Sequence, residues 1–121
     1  MLAVAALLSL ALFITFAGSA IQKFIFSSLT ASNAEHLGFS KSAFQRIGVL
    51  EFAGALGLIC GLSATSGLWA VLNEVAAGGL TVTMLGAIVY HRRAGDKFKG
   101  YSAALIIGLA CVVELVVRLS A

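Results

Sequence analysis

Three glutamates that interrupt long apolar stretches are the strongest candidates for chemistry in this sequence. Glu51, Glu74 and Glu114 each fall inside a separate hydrophobic block. A carboxylate within lipid costs at least about 2.5 kcal/mol, so such a residue normally faces other protein and has a partner there. Buried carboxyl groups also serve as general acids and bases. We therefore take Glu74, Glu114 and Glu51 as candidate catalytic residues.

Other polar residues are predicted to join these glutamates in two clusters. The cluster toward the loop side consists of Gln22, Lys23, Arg46, Glu51 and His91, and the cluster toward the side of the termini consists of Asn73, Glu74, Glu114 and Arg118. Arg118 follows Glu114 by four residues, a spacing that favours an ion pair on one helix face. Neutralisation within the protein and a functional role both account for the buried acids, and Glu74 has no cation within a turn of its own helix. The residues predicted to bind a ligand are Asn73, Arg118, Arg46, Lys23, His91 and Thr81.

Four apolar blocks must position these residues. They cover about residues 2–24, 44–64, 67–91 and 101–119. Each is long enough for a helix to cross a hydrocarbon layer of about 30 Å. The chain is 60% hydrophobic and only 11% charged, whereas about a quarter of the residues in soluble domains are charged. The pattern predicts an all-α integral membrane four-helix bundle, with residues 1–121 forming a single transmembrane domain.

The first block also has features of a secretory signal, because residues 18–20 (GSA) are small. No Lys or Arg precedes this block, however, and its apolar run exceeds the 7–15 residues of a signal sequence. We therefore expect it to be retained as a membrane helix.

The basic residues predict the orientation of the bundle. Four spans place both termini on one side of the membrane and the two longer loops on the other. Arg118 is the only basic residue on the side of the termini, and the other seven lie on the side of the loops. The positive-inside rule then places the loops in the cytoplasm and both termini outside. We expect a multi-pass protein of the cell (plasma or inner) membrane.

Several other functions are not favoured by the sequence. Cys60 and Cys111 do not form a CxxC motif, and buried structural thiols are the favoured interpretation. The spacing of His, Cys and acidic residues predicts no metal site, and no cofactor motif is present. Nucleic acid is not an expected partner of so apolar a chain. The GxxxG motif at Gly57 and Gly61 favours close packing within the bundle first and a homodimer contact second.

Three stretches of the sequence resemble DoxX-like membrane proteins. The specific ones are residues 46–58 (RIGVLEFAGALGL) and 76–93 (AAGGLTVTMLGAIVYHRR), and residues 19–24 (SAIQKF) are a weaker match. The resemblance implies a four-helix membrane protein and makes Lys23, Arg46, Glu51 and His91 the recurrent polar positions of the family. Small residues replace the usual glycine near Lys23, and the Asn73-Glu74 pair departs from the family pattern.

Two functions of different classes follow from these observations. Members of the family that the chain resembles are linked to quinone-coupled sulfur oxidation, oxidative stress and membrane redox complexes. The resemblance therefore implies an accessory or redox-associated membrane subunit that binds a quinone or another lipophilic ligand. The alternative is a cofactor-free membrane enzyme whose glutamates act as acid and base on an isoprenoid, epoxide or quinone. A proton-coupled transporter is a third interpretation. The expected partners are the lipid bilayer, a lipophilic small molecule, and a second copy or a larger membrane complex.

Overall fold

A computed structural model describes residues 2–120, and every regular element in this range is a helix. The helices are α1 (Leu2–Ile25), α2 (Ser28–Leu37), α3 (Lys41–Cys60), α4 (Gly67–Arg93) and α5 (Phe98–Ser120). All except α2 are long and apolar enough to span a membrane. The prediction of four membrane helices is therefore confirmed.

The four long helices form a ring in the order α1, α3, α4, α5. Each packs against its two neighbours in the ring, and the short α2 packs against α3 and α4. The turn between α3 and α4 and the last turn of α5 lie together at one end, which we call the terminal end. Helix α2 and the α4–α5 loop meet at the opposite, or loop, end. The side of the membrane that each end faces stays a prediction, as does the assignment of the chain to one domain.

Most of the interior is apolar, apart from a few buried polar side chains, and the outer surface is apolar as well. Outward side chains such as Leu7, Ile14, Val82 and Ile106 are each more than 60% exposed. A surface of this kind is stable in lipid and not in water. The central core consists of Leu12, Phe16, Ala55, Leu58, Ala77, Leu80, Met84, Ala104 and Cys111.

Helix α2 was not predicted, because its ten residues are too polar and too few to read as a membrane span. Its boundary signals are nevertheless present in the sequence. The Ser27 side chain accepts a hydrogen bond from the Thr30 backbone N–H at the start, and Gly38 ends the helix with a φ of 84°. A serine cap and a left-handed glycine are the usual ends of a short helix. Ser40 then caps α3, so that α3 begins at Lys41, three residues before the predicted start.

Glycine allows α3 and α4 to approach each other closely near the terminal end. A Cβ atom added at Gly57 would lie 2.7 Å from Ala76 Cβ, and one added at Gly54 would lie 2.6 Å from Leu80 Cδ2. The GxxxG motif therefore packs inside the bundle, as the first of the two interpretations predicts. In contrast, an added Cβ at Gly79 meets nothing within 4 Å.

We predict that Gly57→Leu lowers the stability of the bundle by about 1–3 kcal/mol, the usual cost of overpacking a filled interface. Gly79→Leu is the matched control on α4, since its new side chain points into open space. Unfolding in mixed detergent micelles, followed by circular dichroism, measures both. Equal stability of the two variants would contradict this account of the α3–α4 contact.

Candidate functional site

A buried polar cluster at the terminal end is organised by Arg118. The guanidinium donates from Nε to Glu114 Oε1 at 2.9 Å and from Nη2 to Ser9 Oγ at 3.3 Å. It also donates to three backbone carbonyls at the end of α3 and in the turn that follows: Gly61, Leu62 and Ala64, each at 3.0 Å. These five contacts match the five N–H groups of an arginine side chain. The predicted Glu114–Arg118 pair is thus present, and it is nearly free of solvent exposure.

Ser9 and Asn73 connect this cluster to the other two membrane helices. The Ser9 hydroxyl donates to Glu114 Oε1 at 2.6 Å and accepts from Asn73 Nδ2 at 3.1 Å. The Asn73 amide also donates to the Leu58 carbonyl on α3 at 3.0 Å. Ser9, Asn73 and Glu114 are completely buried. All four long helices therefore meet in one hydrogen-bond network, which we call the Arg118 cluster.

Glu74 does not take part in the Arg118 cluster, although its neighbour Asn73 does. Its side chain is partly buried, and the hydrogen bonds and ion pairs between residues 2 and 120 do not include it. Two acceptors in the cluster, Glu114 Oε2 and Asn73 Oδ1, are buried without a hydrogen bond from the described residues. The cluster pairs one cation with one anion and connects the four long helices, which indicates a structural role.

A large cavity lies in the loop-end half of the bundle and has a volume of about 820 Å³. All five helices contribute to its walls, and α2 contributes Asn33, His36 and Leu37. Phe16, Met84 and Ile107 give it apolar surface, and small residues such as Gly86 and Ala87 leave it wide. Cavities of 300–1,000 Å³ with mostly apolar walls and a few polar groups are typical of small-molecule sites.

A lysine–glutamate pair is the charged feature of this cavity. Lys23 Nζ lies 2.7 Å from Glu51 Oε1, and the two side chains are 15% and 2% exposed. Lys23 also donates to Ser19 Oγ at 2.7 Å and stands 5.0 Å from the centre of the Phe44 ring. The Nζ–Oε1 contact is an ion pair that lacks hydrogen-bond geometry, so Glu51 Oε1 has a neutralising charge but no oriented donor. At this distance the two charges attract each other strongly, because charge attraction depends little on angle.

The loop-end mouth of the cavity is bordered by contacts between α2 and the α4–α5 loop. His36 Nε2 on α2 and His91 Nδ1 on α4 lie 2.7 Å from the two different carboxylate oxygens of Asp96. Hydrogen bonds from His91 and then from His36 lower the pKa of the Asp96 carboxyl. A lowered carboxyl pKa means that the contact stabilises the fold above the ordinary pKa of an aspartate and is lost only as the pH falls through the lowered value. The link therefore persists at neutral pH.

Comparison with protein families identifies the chain. The model of the DoxX-like family matches residues 7–114, which cover both polar sites up to Glu114. This chain belongs to the DoxX-like family. Neither the curated proteins nor the solved structures contain a significant match to the DoxX-like protein.

The other predicted site residues of the DoxX-like protein have varied positions. His91 lines the cavity, as Lys23 and Glu51 do. Arg46 is exposed on α3 and is not among the cavity walls. The Thr81 hydroxyl donates to the Ala77 carbonyl one turn earlier in its own helix, at 2.8 Å. Whether any of these residues acts in catalysis or binding stays a prediction.

Four of the residues that shape these sites were not among the predicted site residues: Ser9, Asn33, His36 and Asp96. Serine on a membrane helix and a polar loop residue carry no signal of their own. His36 and Asp96 are sixty residues apart, so no local spacing indicates that they meet. Both cysteines are free thiols, and Cys111 is buried as expected, but Cys60 is exposed, so the interpretation of both as buried thiols is wrong for Cys60. Within residues 2–120, no group of three His, Cys or acidic side chains is arranged to hold a metal ion.

We predict that Arg118→Gln destabilises the DoxX-like protein by about 3–5 kcal/mol, the cost of leaving a buried charge without its partner. The substitution also removes the hydrogen bonds that Arg118 donates to the carbonyls of Gly61, Leu62 and Ala64. The control is Arg93→Gln, an exposed cation of the loop end. Denaturant titration in micelles measures the difference. If Arg118→Gln unfolds at the same midpoint as Arg93→Gln, the Arg118 cluster does not stabilise the bundle.

Proposed function

We propose that this DoxX-like membrane protein binds an uncharged lipophilic molecule in the loop-end cavity and serves as an accessory, redox-associated membrane subunit. A quinone is a suitable ligand class. The observation that carries the proposal is the cavity of about 820 Å³ with Lys23 and Glu51 in its wall. An apolar chain gains free energy from such walls, at roughly 25 cal/mol for each Å² removed from water.

The charges around the cavity support an uncharged ligand. Lys23 is balanced by Glu51 at 2.7 Å, and Asp96 is held between His91 and His36. A further ion in this apolar space would have no counter-charge of its own and would lose its hydration. A carbonyl or hydroxyl oxygen, in contrast, needs only one donor. The Lys23 ammonium has three N–H groups, and its contacts with Ser19 and Glu51 use at most two of them.

The location of the mouth supports access from the loop end. Exposed residues such as Asn33 and His36 line the cavity there. Seven basic residues lie on this side of the chain and one on the other, so in our proposal the loop end faces the cytoplasm at the cell membrane. A redox partner would then dock on the side where the ligand enters.

We predict that Gly86→Phe weakens ligand binding at least tenfold. Gly86 lines the cavity, and a Cβ added there meets nothing within 4 Å, so the new ring enters the cavity without a backbone clash. The measurement is saturable binding of a radiolabelled short-chain benzoquinone to the protein in phosphatidylcholine nanodiscs.

Gly79→Phe is the matched control for this experiment. Gly79 is an exposed glycine on the same helix, outside the cavity, with equal free space around its Cβ. It should bind the probe as the wild type does. Absence of saturable binding in the wild type, or equal binding by both variants, would refute the proposal.

Catalysis in the same cavity is the second candidate function. Glu51 and Lys23 place a base and an acid side by side in the wall, the arrangement needed for proton transfer on a bound isoprenoid, epoxide or quinone. Glu114 is committed to the Arg118 cluster, and Glu74 lies outside the cavity wall. Glu51 is therefore the strongest of the three candidate catalytic glutamates.

For this second function, we predict that Glu51→Gln lowers the turnover of a cavity-bound substrate at least a hundredfold, while the variant still binds the substrate. Glu74→Gln should leave turnover unchanged and is the control. Incubation with epoxide and isoprenoid probes, followed by chromatographic analysis of the products, measures both. Equal turnover by wild type and Glu51→Gln would exclude this role, and loss of binding alone would favour the accessory subunit.

A further inference from the structure

A second, smaller cavity adjoins the main one beneath α2. Its volume is about 260 Å³, and it lies between the end of α1, helix α2 and the start of α3. The two cavities share Ser19, Lys23, Asn33 and Phe44 in their walls. Lys23 therefore stands where the two spaces meet, with its amine accessible from both.

The chemistry of the smaller cavity differs from that of the main cavity. Five of the seven residues in its wall carry polar groups: Ser19, Gln22, Lys23, Thr30 and Asn33 contribute hydroxyl, amide and ammonium groups. Phe44 and Leu29 supply its apolar surface. Each of the polar groups can donate a hydrogen bond, and the hydroxyls and amides can also accept one. We call this space the head-group chamber, because it is polar and adjoins an apolar cavity that is large enough for a ligand chain. Lys23 lies between the two spaces.

The charge balance at Lys23 indicates which kind of head group fits. Among residues 2–120, Lys23 is the only charged residue in the wall of the chamber. Its charge is already balanced by Glu51, which is 2% exposed and borders the main cavity. An anionic head would put two negative charges on one ammonium in a region with little water, and a cationic head would be repelled by Lys23. An uncharged head with several oxygens satisfies the donors without either cost.

We propose that the ligand is a single-chain amphiphile whose uncharged, oxygen-bearing head lies in the head-group chamber while its chain fills the main cavity. This inference depends on the proposed ligand-binding function and specifies the class of ligand. Both a quinone ring and a glyceryl ester have such a head. Helix α2 covers this part of the site and supplies Asn33, and the contact between His36 and Asp96 holds the helix against the α4–α5 loop.

Photolabelling in phosphatidylcholine nanodiscs tests this inference. The probes share one sixteen-carbon chain with a diazirine near its end and differ in the head: a glyceryl ester, a benzoquinone, a free carboxylate and a trimethylammonium. We expect saturable labelling of the cavity wall by at least one of the two uncharged probes, at least tenfold stronger than by either charged probe. The choice between glyceryl ester and benzoquinone distinguishes the two sources of the head. Peptide mass spectrometry locates the labelled residues.

The variants for this experiment are Asn33→Leu and Ser32→Leu, neighbouring exposed positions on α2 of which only Asn33 lines the chamber. Asn33→Leu should reduce labelling by the preferred uncharged probe about tenfold, the effect of one lost hydrogen bond of about 1.4 kcal/mol. Ser32→Leu should leave it unchanged. Circular dichroism checks that both variants are folded.

Each other outcome overturns a defined part of the proposal. Equal or stronger labelling by the carboxylate or trimethylammonium probe refutes the uncharged head. Full labelling of Asn33→Leu, together with loss of labelling in Gly86→Phe, refutes the head-group chamber but leaves the proposed ligand-binding function intact. Labelling that does not saturate, or that Gly86→Phe leaves unchanged, refutes both.

Discussion

The hydrogen bonds of Arg118 are the interaction on which the terminal end of this bundle depends. In hydrocarbon the last carbonyls of a helix have no water to donate to them, so a side chain must satisfy them. Arg118 on α5 does this for the cap residue of α3 and for the turn that follows, while it pairs with Glu114 on its own helix. Ser9 brings in α1 and Asn73 brings in α4. The hydrogen-bond network around one guanidinium thus links all four membrane helices.

The position of the cavity follows from how the two ends are packed. Near the terminal end, glycines on α3 contact Ala76 and Leu80 of α4, which leaves little space between these helices. At the loop end, larger side chains separate them: Phe39 stacks 4.4 Å from Tyr90 on α4 and 5.5 Å from Phe44 on α3, measured between ring centres. Helices locked at one end and spaced by aromatic rings at the other enclose a volume between them. The cavity and the Arg118 cluster are therefore consequences of the same packing.

Much of the fold was predictable because its signals are local. Apolar blocks of the right length predict the spans, and a spacing of four predicts the Glu114–Arg118 pair. The choice between Asn73 and Glu74 was not predictable, since adjacent residues on a helix point about 100° apart and only the packed bundle shows which one faces inward. The contact of His36 with Asp96 was hidden for a similar reason, because it depends on how a short polar helix folds back over the bundle.

The two buried ion pairs differ in what they do for the fold, and this difference points to the cavity as the functional site. The Arg118 pair satisfies backbone carbonyls that no hydrophobic residue could satisfy. The ammonium of Lys23 contacts the Ser19 hydroxyl and the Glu51 carboxylate, and it caps no helix end. A buried pair of this second kind can usually be replaced by apolar residues at no loss of stability. Stability alone therefore does not require a lysine and a glutamate in this wall. The ligand binding that we propose would use them, because an apolar cavity can orient a ligand only through the few polar groups that reach it.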